Sequence, residues 1–99
     1  MIKKDFYIEI HPGEILSGIL EDEKISQAAL AGAIGCSRKV ISEICTEKRG
    51  ISAEMALKLG KAFGQSPNFW MMAQNNWELS QVDKTVTKKV KKLVGDRAA

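Results

Sequence analysis

The sequence predicts an all-α fold: five helices around one small core, with a short extended N-terminal segment before them and a basic C-terminal helix or tail after them. Three observations predict it. Apolar residues recur at helical spacing along most of the chain. Serines and prolines that start helices alternate with glycines that end them. The length of 99 residues, with 44% hydrophobic and 27% charged residues, suits one globular domain. The helical domain is expected over residues 1–79 and the basic extension over 80–99.

Phe6, Ile8 and Ile10 alternate with Tyr7 and Glu9, the period of two that marks an extended segment. His11-Pro12-Gly13-Glu14 then opens the first helix. Pro12 suits the first helical position, where its missing donor costs nothing, and Glu14 meets the positive end of the helix dipole. Ile15, Leu16, Ile19 and Leu20 form the stripe to be buried, and Glu21-Asp22-Glu23 closes the helix as a solvated acidic end that could meet a basic partner.

Residues 27 to about 46 hold two short helical patterns either side of a tight turn. Where two helices cross steeply through three or four residues, the first must offer a small side chain at the crossing, and Ala31 supplies it. Gly35 accepts the positive φ that the turn needs, and Ser26 and Ser37 cap the two helices. Leu30, Ile34, Ile41 and Ile44 can close a shared core, which leaves the second helix polar and basic on its outer side. An ordinary helical hairpin would satisfy much of this. The agreement of Gln27, Ala31, Gly35, Ser37 and Ile41 favours a helix-turn-helix whose second helix enters the major groove of DNA.

The second helix of this pair runs from about Arg38 to Thr46, and Glu47-Lys48-Arg49-Gly50 forms a loop. Ser52 caps a fourth helix with Met55, Ala56, Leu59, Ala62 and Phe63 facing inward, and Gly64 stops it. Ser66-Pro67 opens a fifth, rich in Phe69, Trp70, Met71, Met72, Trp77 and Leu79. That is more large apolar surface than one small core hides, so Phe69 is expected inside and part of the rest at an interface. In the tail, Val82, Val86, Val90, Leu93 and Val94 fall at helical spacing against Lys84, Lys88, Lys89, Lys91 and Lys92. This reads as an amphipathic basic helix, formed alone or on binding, or as a frayed tail.

The net charge of +3 is unevenly spread: residues 1–25 carry −3, 26–52 carry +2, 53–79 carry 0 and 80–99 carry +4. Cys36 and Cys45, with a single histidine in the chain, make no zinc-binding spacing, and Cys36 is expected as a buried free thiol. Catalysis would need a nucleophile with its base, paired carboxylates in a cleft or a metal cluster. The chain offers none in recognisable form, so no enzyme, no catalytic residue, no metal and no cofactor are expected, and His11 is read as orienting the first helix. The first ten residues lack the apolar run of a signal peptide and no stretch approaches a membrane span, so a cytoplasmic protein is expected.

Three blocks carry a family resemblance: HPGEIL (11–16), SQAALAGAIGCSRKVISEI (26–44) and KRGISAEMALKLGKAFGQSPNFWMMAQNNWEL (48–79). Together they resemble the HigA-type antitoxins of bacterial toxin–antitoxin operons, a branch of the Xre- or lambda-repressor-like helix-turn-helix regulators that includes proteins labelled virulence-associated protein I. The resemblance implies a five-helix DNA-binding domain, a homodimer on a palindromic operator, repression of its own operon and neutralisation of a small RNA-cleaving toxin encoded alongside. A stand-alone repressor, or an adaptor that uses the fold to hold a protein partner, remains open at this stage. Glu47 stands where the family usually has glycine, Lys24 where it often has another, and the tail after Leu79 matches no family pattern. A glutamate at positive φ costs about 1 kcal/mol or more, which favours a turn of another shape after the recognition helix.

Carried onto these positions, the resemblance makes Arg38 and Lys39 the principal base readers, since each can pair with guanine edges, with Ser37 and Ser42 adding base or phosphate contacts. Gln27, Thr46, Lys48 and Arg49 sit where related domains hold the DNA backbone. Glu43 has two opposed readings, because its carboxylate could accept from cytosine N4 and would also repel phosphate.

Overall fold

A computed structural model describes residues 10–95 of the chain. Its elements are α1 (Pro12–Glu23), α2 (Gln27–Ile34), α3 (Arg38–Cys45), α4 (Ala53–Phe63), α5 (Pro67–Gln81) and a single 3-10 turn (Lys84–Thr87), with no strand among the described residues. The extended segment expected before Ile10 lies outside the described residues.

Each helix starts on a side chain that satisfies an otherwise unpaired backbone N–H. His11 Nδ1 accepts from Gly13 N at 2.8 Å, and the hydroxyls of Ser26, Ser37, Ser52 and Ser66 accept from Ala29, Val40, Met55 and Asn68 at 3.0–3.2 Å. The first four helices all end through a residue in the left-handed region: Lys24 (φ 58°), Gly35 (φ 74°), Glu47 (φ 64°) and Gly64 (φ 69°). Glu47 thus keeps the left-handed turn despite its side chain, and the differently shaped turn expected there does not occur. The bonds from Lys48 N to Glu43 O (2.8 Å) and from Glu47 N to Ile44 O (3.0 Å) complete a Schellman closure of α3.

The core gathers Leu16 and Leu20 of α1, Leu30 and Ala31 of α2, Ile41 and Ile44 of α3, Ile51, the α4 residues Met55, Ala56 and Leu59, and Trp70 of α5. Trp70 is fully buried, and its indole N–H donates to Gln65 Oε1 at 2.8 Å, so its polar atom is paired as well as its ring packed. Phe69, expected inside, is instead 42% exposed and rests edge-on against Trp70. The two residues are adjacent, about 100° apart around the helix, so only one can face the core. Ala62 is likewise exposed rather than inward, while Phe63 is half-buried.

Gly13 fixes how α1 meets α3. A Cβ there would overlap the carbonyl oxygen of Ile44, so α1 can approach the end of α3 closely only without a side chain at this position. Behind the loop that follows α3, the buried Gln74 accepts from Ile51 N at 2.6 Å and donates to Glu78 at 2.7 Å. Gly50 lies so near the Gln74 amide that a Cβ would come within 2.7 Å of it. Beyond α5 the valine stripe does not form an α-helix: residues 82–95 are exposed and hold only the 3-10 turn. Among the described residues those valines stay exposed, and an isolated β-branched stripe does not hold a helix in water.

Candidate nucleic-acid interface

With Ile41 and Ile44 turned into the core, the opposite side of α3 faces solvent. Arg38, Lys39, Ser42, Glu43 and Thr46 form that side, at the i, i+1, i+4, i+5 and i+8 spacing of one helical face, and together with Lys48 they line one shallow concave surface. Arg38 and Lys39 are exposed at its N-terminal end, Ser42 and Glu43 are half-buried at its centre, and Thr46 and Lys48 are exposed at its far end. The structure therefore brings together five of the eight residues singled out from the sequence. Of the other three, Ser37 sits just before the surface as the cap of α3, and Gln27 is the half-buried first residue of α2, outside the lining of the surface.

Arg49 is engaged in a different way. Its Nε and Nη2 donate to Glu43 Oε1 at 3.0 and 2.7 Å, across the loop that closes α3. That hydrogen-bonded guanidinium, helped by the charges of Lys39 and Lys48, holds the Glu43 carboxyl below its ordinary value of 4.5, so the carboxylate is ionised at neutral pH. Thr46 has also committed its donors, because its hydroxyl donates to Ser42 O at 2.8 Å and its N–H to the same oxygen at 2.9 Å. The Glu43–Arg49 pairing spans six residues and a turn, a separation for which no helix or strand periodicity prepares a reader. Cys36 and Cys45 are both free and half-buried, with Cys36 at the turn between α2 and α3.

A convex helix with an exposed cationic N-terminal end and polar groups along one face is the shape and chemistry that the major groove of DNA accepts. A family profile described as helix-turn-helix matches residues 19–70, more than half of the chain, and covers α2, α3 and α4. The chain belongs to the Xre-like helix-turn-helix family. Within that helix-turn-helix family, the chain is 43% identical over 84 residues to virulence-associated protein A' of Dichelobacter nodosus, covering 84% of this chain and 73% of the relative. Its fold matches the Pseudomonas aeruginosa antitoxin HigA, solved with the higBA promoter, at 39% identity and a TM-score of 0.80 over 88% of this chain and 100% of that one. It also matches antitoxin GraA in complex with its operator, at 34% identity and a TM-score of 0.78, covering 95% of this chain and 99% of the other. These helix-turn-helix relatives are not named as enzymes. No α-helix among the described residues is long and apolar enough to cross a membrane.

Proposed function

We propose that this chain is a DNA-binding antitoxin that represses its own operon from a palindromic operator and neutralises a small RNA-cleaving toxin encoded beside it. The observation that carries the reading is the exposed, cation-tipped face of α3, set in a fold that matches two antitoxins solved with promoter or operator DNA. Arg38 and Lys39 read base edges, Ser37 and Ser42 supplement them, and Lys48 with the N-terminal end of α2 at Gln27 holds the phosphates. Thr46, with its donors turned inward, stands at the edge of that set.

A palindrome reader needs two recognition helices at a fixed separation, so the chain acts as a homodimer. Trp70, one of the large apolar residues of α5, is buried in the core and contributes nothing to that contact. Among the described residues, one apolar groove lies between α1 and α5, lined by Ile10, Ile15, Phe69, Met72 and Ala73, and the dimer contact is assigned to it.

The test is binding to the promoter of the chain's own operon. Affinity should fall with salt at about −0.9 log units per log unit of salt for each phosphate neutralised. Arg38→Ala and Lys39→Ala should each lose about 1–3 kcal/mol on the operator and relax preference at one base pair per half-site. Equal losses on operator and random DNA would remove them as base readers. A neighbouring toxin should co-purify with the chain and lose RNA cleavage; one that stays active in excess chain would leave a plain repressor.

A further inference from the structure

We infer that Glu43 is a specificity-determining residue of the α3 face and Arg49 its positioning residue, the pair selecting a C·G base pair through the cytosine amino group. The inference rests on the DNA-binding reading above. Glu43 lies one turn beyond Lys39, in the same concave strip as Arg38, Ser42 and Thr46, where a base edge would pass. A lone carboxylate there would be repelled by the phosphates lining the groove. Arg49 offsets that charge and fixes the side chain, because both of its bonds go to Oε1 and leave Oε2 to meet an outside donor.

An ionised carboxylate only accepts hydrogen bonds. Of the four bases, guanine and thymine show it acceptors in the major groove, and adenine sets its N7 acceptor beside its amino group. Cytosine presents an amino donor with no acceptor beside it. The carboxylate therefore fits cytosine, and Arg49 contributes through Glu43 rather than as a separate phosphate clamp.

The experiment uses the full chain and a randomised duplex library. Selection first yields the preferred half-site, and competition with single base-pair substitutions then gives its profile. Wild type should lose roughly tenfold affinity when one C·G pair per half-site becomes T·A. Glu43→Gln should abolish that preference and favour adenine there, since an amide pairs with both N6 and N7. Arg49→Gln should flatten preference at the same pair only, Arg49→Lys should restore part of it, and the double variant should be no worse than Glu43→Gln alone.

Four results would overturn the inference. An unchanged Glu43→Gln profile removes the base contact. An Arg49→Gln chain that melts at lower temperature but keeps its profile makes the pair a staple of the loop. An Arg49→Gln loss of equal size in both Glu43 backgrounds, with a salt slope shallower by about 0.9, makes Arg49 a phosphate contact. A wild-type chain that selects no sequence at all refutes the DNA-binding reading itself, and this inference with it.

Discussion

The two turns that bracket the recognition helix have the same backbone and different reasons for it. The turn before α3 passes through Gly35 at φ 74°, and the turn after it through Glu47 at φ 64°. Gly35 adopts that conformation without steric cost, and no atom lies where its Cβ would be. Glu47 holds it against a penalty of about 1 kcal/mol or more. The first turn is thus set by its own residue. The second is set by its surroundings: Gln74 fastens Ile51, Gly50 lets Gln74 come close, and Arg49 bridges back to Glu43. The lesson is that the entry of the recognition helix is encoded locally, whereas its exit and the loop that follows it depend on α5.

The largest effect should come from cutting that dependence. Gln74→Ala leaves Ile51 N–H buried without a partner and opens space behind Gly50, a loss of about 2–3 kcal/mol by denaturant unfolding. Amide exchange should accelerate in residues 47–52 and stay unchanged around Gly35. Equal acceleration at both turns would dissolve the distinction.

Next in size is Gly35→Ala, expected to cost about 1–2 kcal/mol through φ alone. A loss well under this would mean that the first turn, too, is imposed from outside.

Glu47→Gly should work in the opposite direction. Relief of the left-handed strain, less the added freedom of glycine in the unfolded chain, should stabilise by up to about 1 kcal/mol. For a chain of this size that raises Tm by up to about 4–8 °C. A lower Tm would show that the glutamate side chain supports the loop.

The smallest effect is electrostatic. Because the folded chain depresses the Glu43 carboxyl below 4.5, its pairing with Arg49 stabilises fully above that value and is lost as pH falls through the depressed one. The stability difference between wild type and Glu43→Gln should therefore shrink only below about pH 4.5 and narrow with added salt, as for any exposed pair. A difference that persists in acid would assign the effect to packing.

Much of the fold is legible in the residues themselves. Ser26, Ser37, Ser52 and Ser66-Pro67 announce helix starts, Gly35 and Gly64 announce ends, and Ala31 announces the crossing, because each acts through its own backbone or its immediate neighbours. The basic tip of α3 is legible for the same reason: its exposure follows once Ile41 and Ile44 are assigned inward. Helix α5 resisted the same treatment. Phe69, Trp70, Met71 and Met72 are all apolar, so no period distinguishes the buried one, and the choice of Trp70 is made by Gln65 and the α4 residues it packs against. The valines of the tail have a helical period but stay exposed among the described residues.

What the sequence determined alone, then, is the set of helices, their caps and the polarity of the recognition face, all of which depend on contacts within a few residues. The tertiary structure decided which aromatic ring enters the core, why position 13 must lack a side chain against Ile44, how Glu47 remains left-handed and that Glu43 meets Arg49. Each of these depends on groups brought together by packing between elements, and the periodicity of a single helix carries no information about what lies across from it.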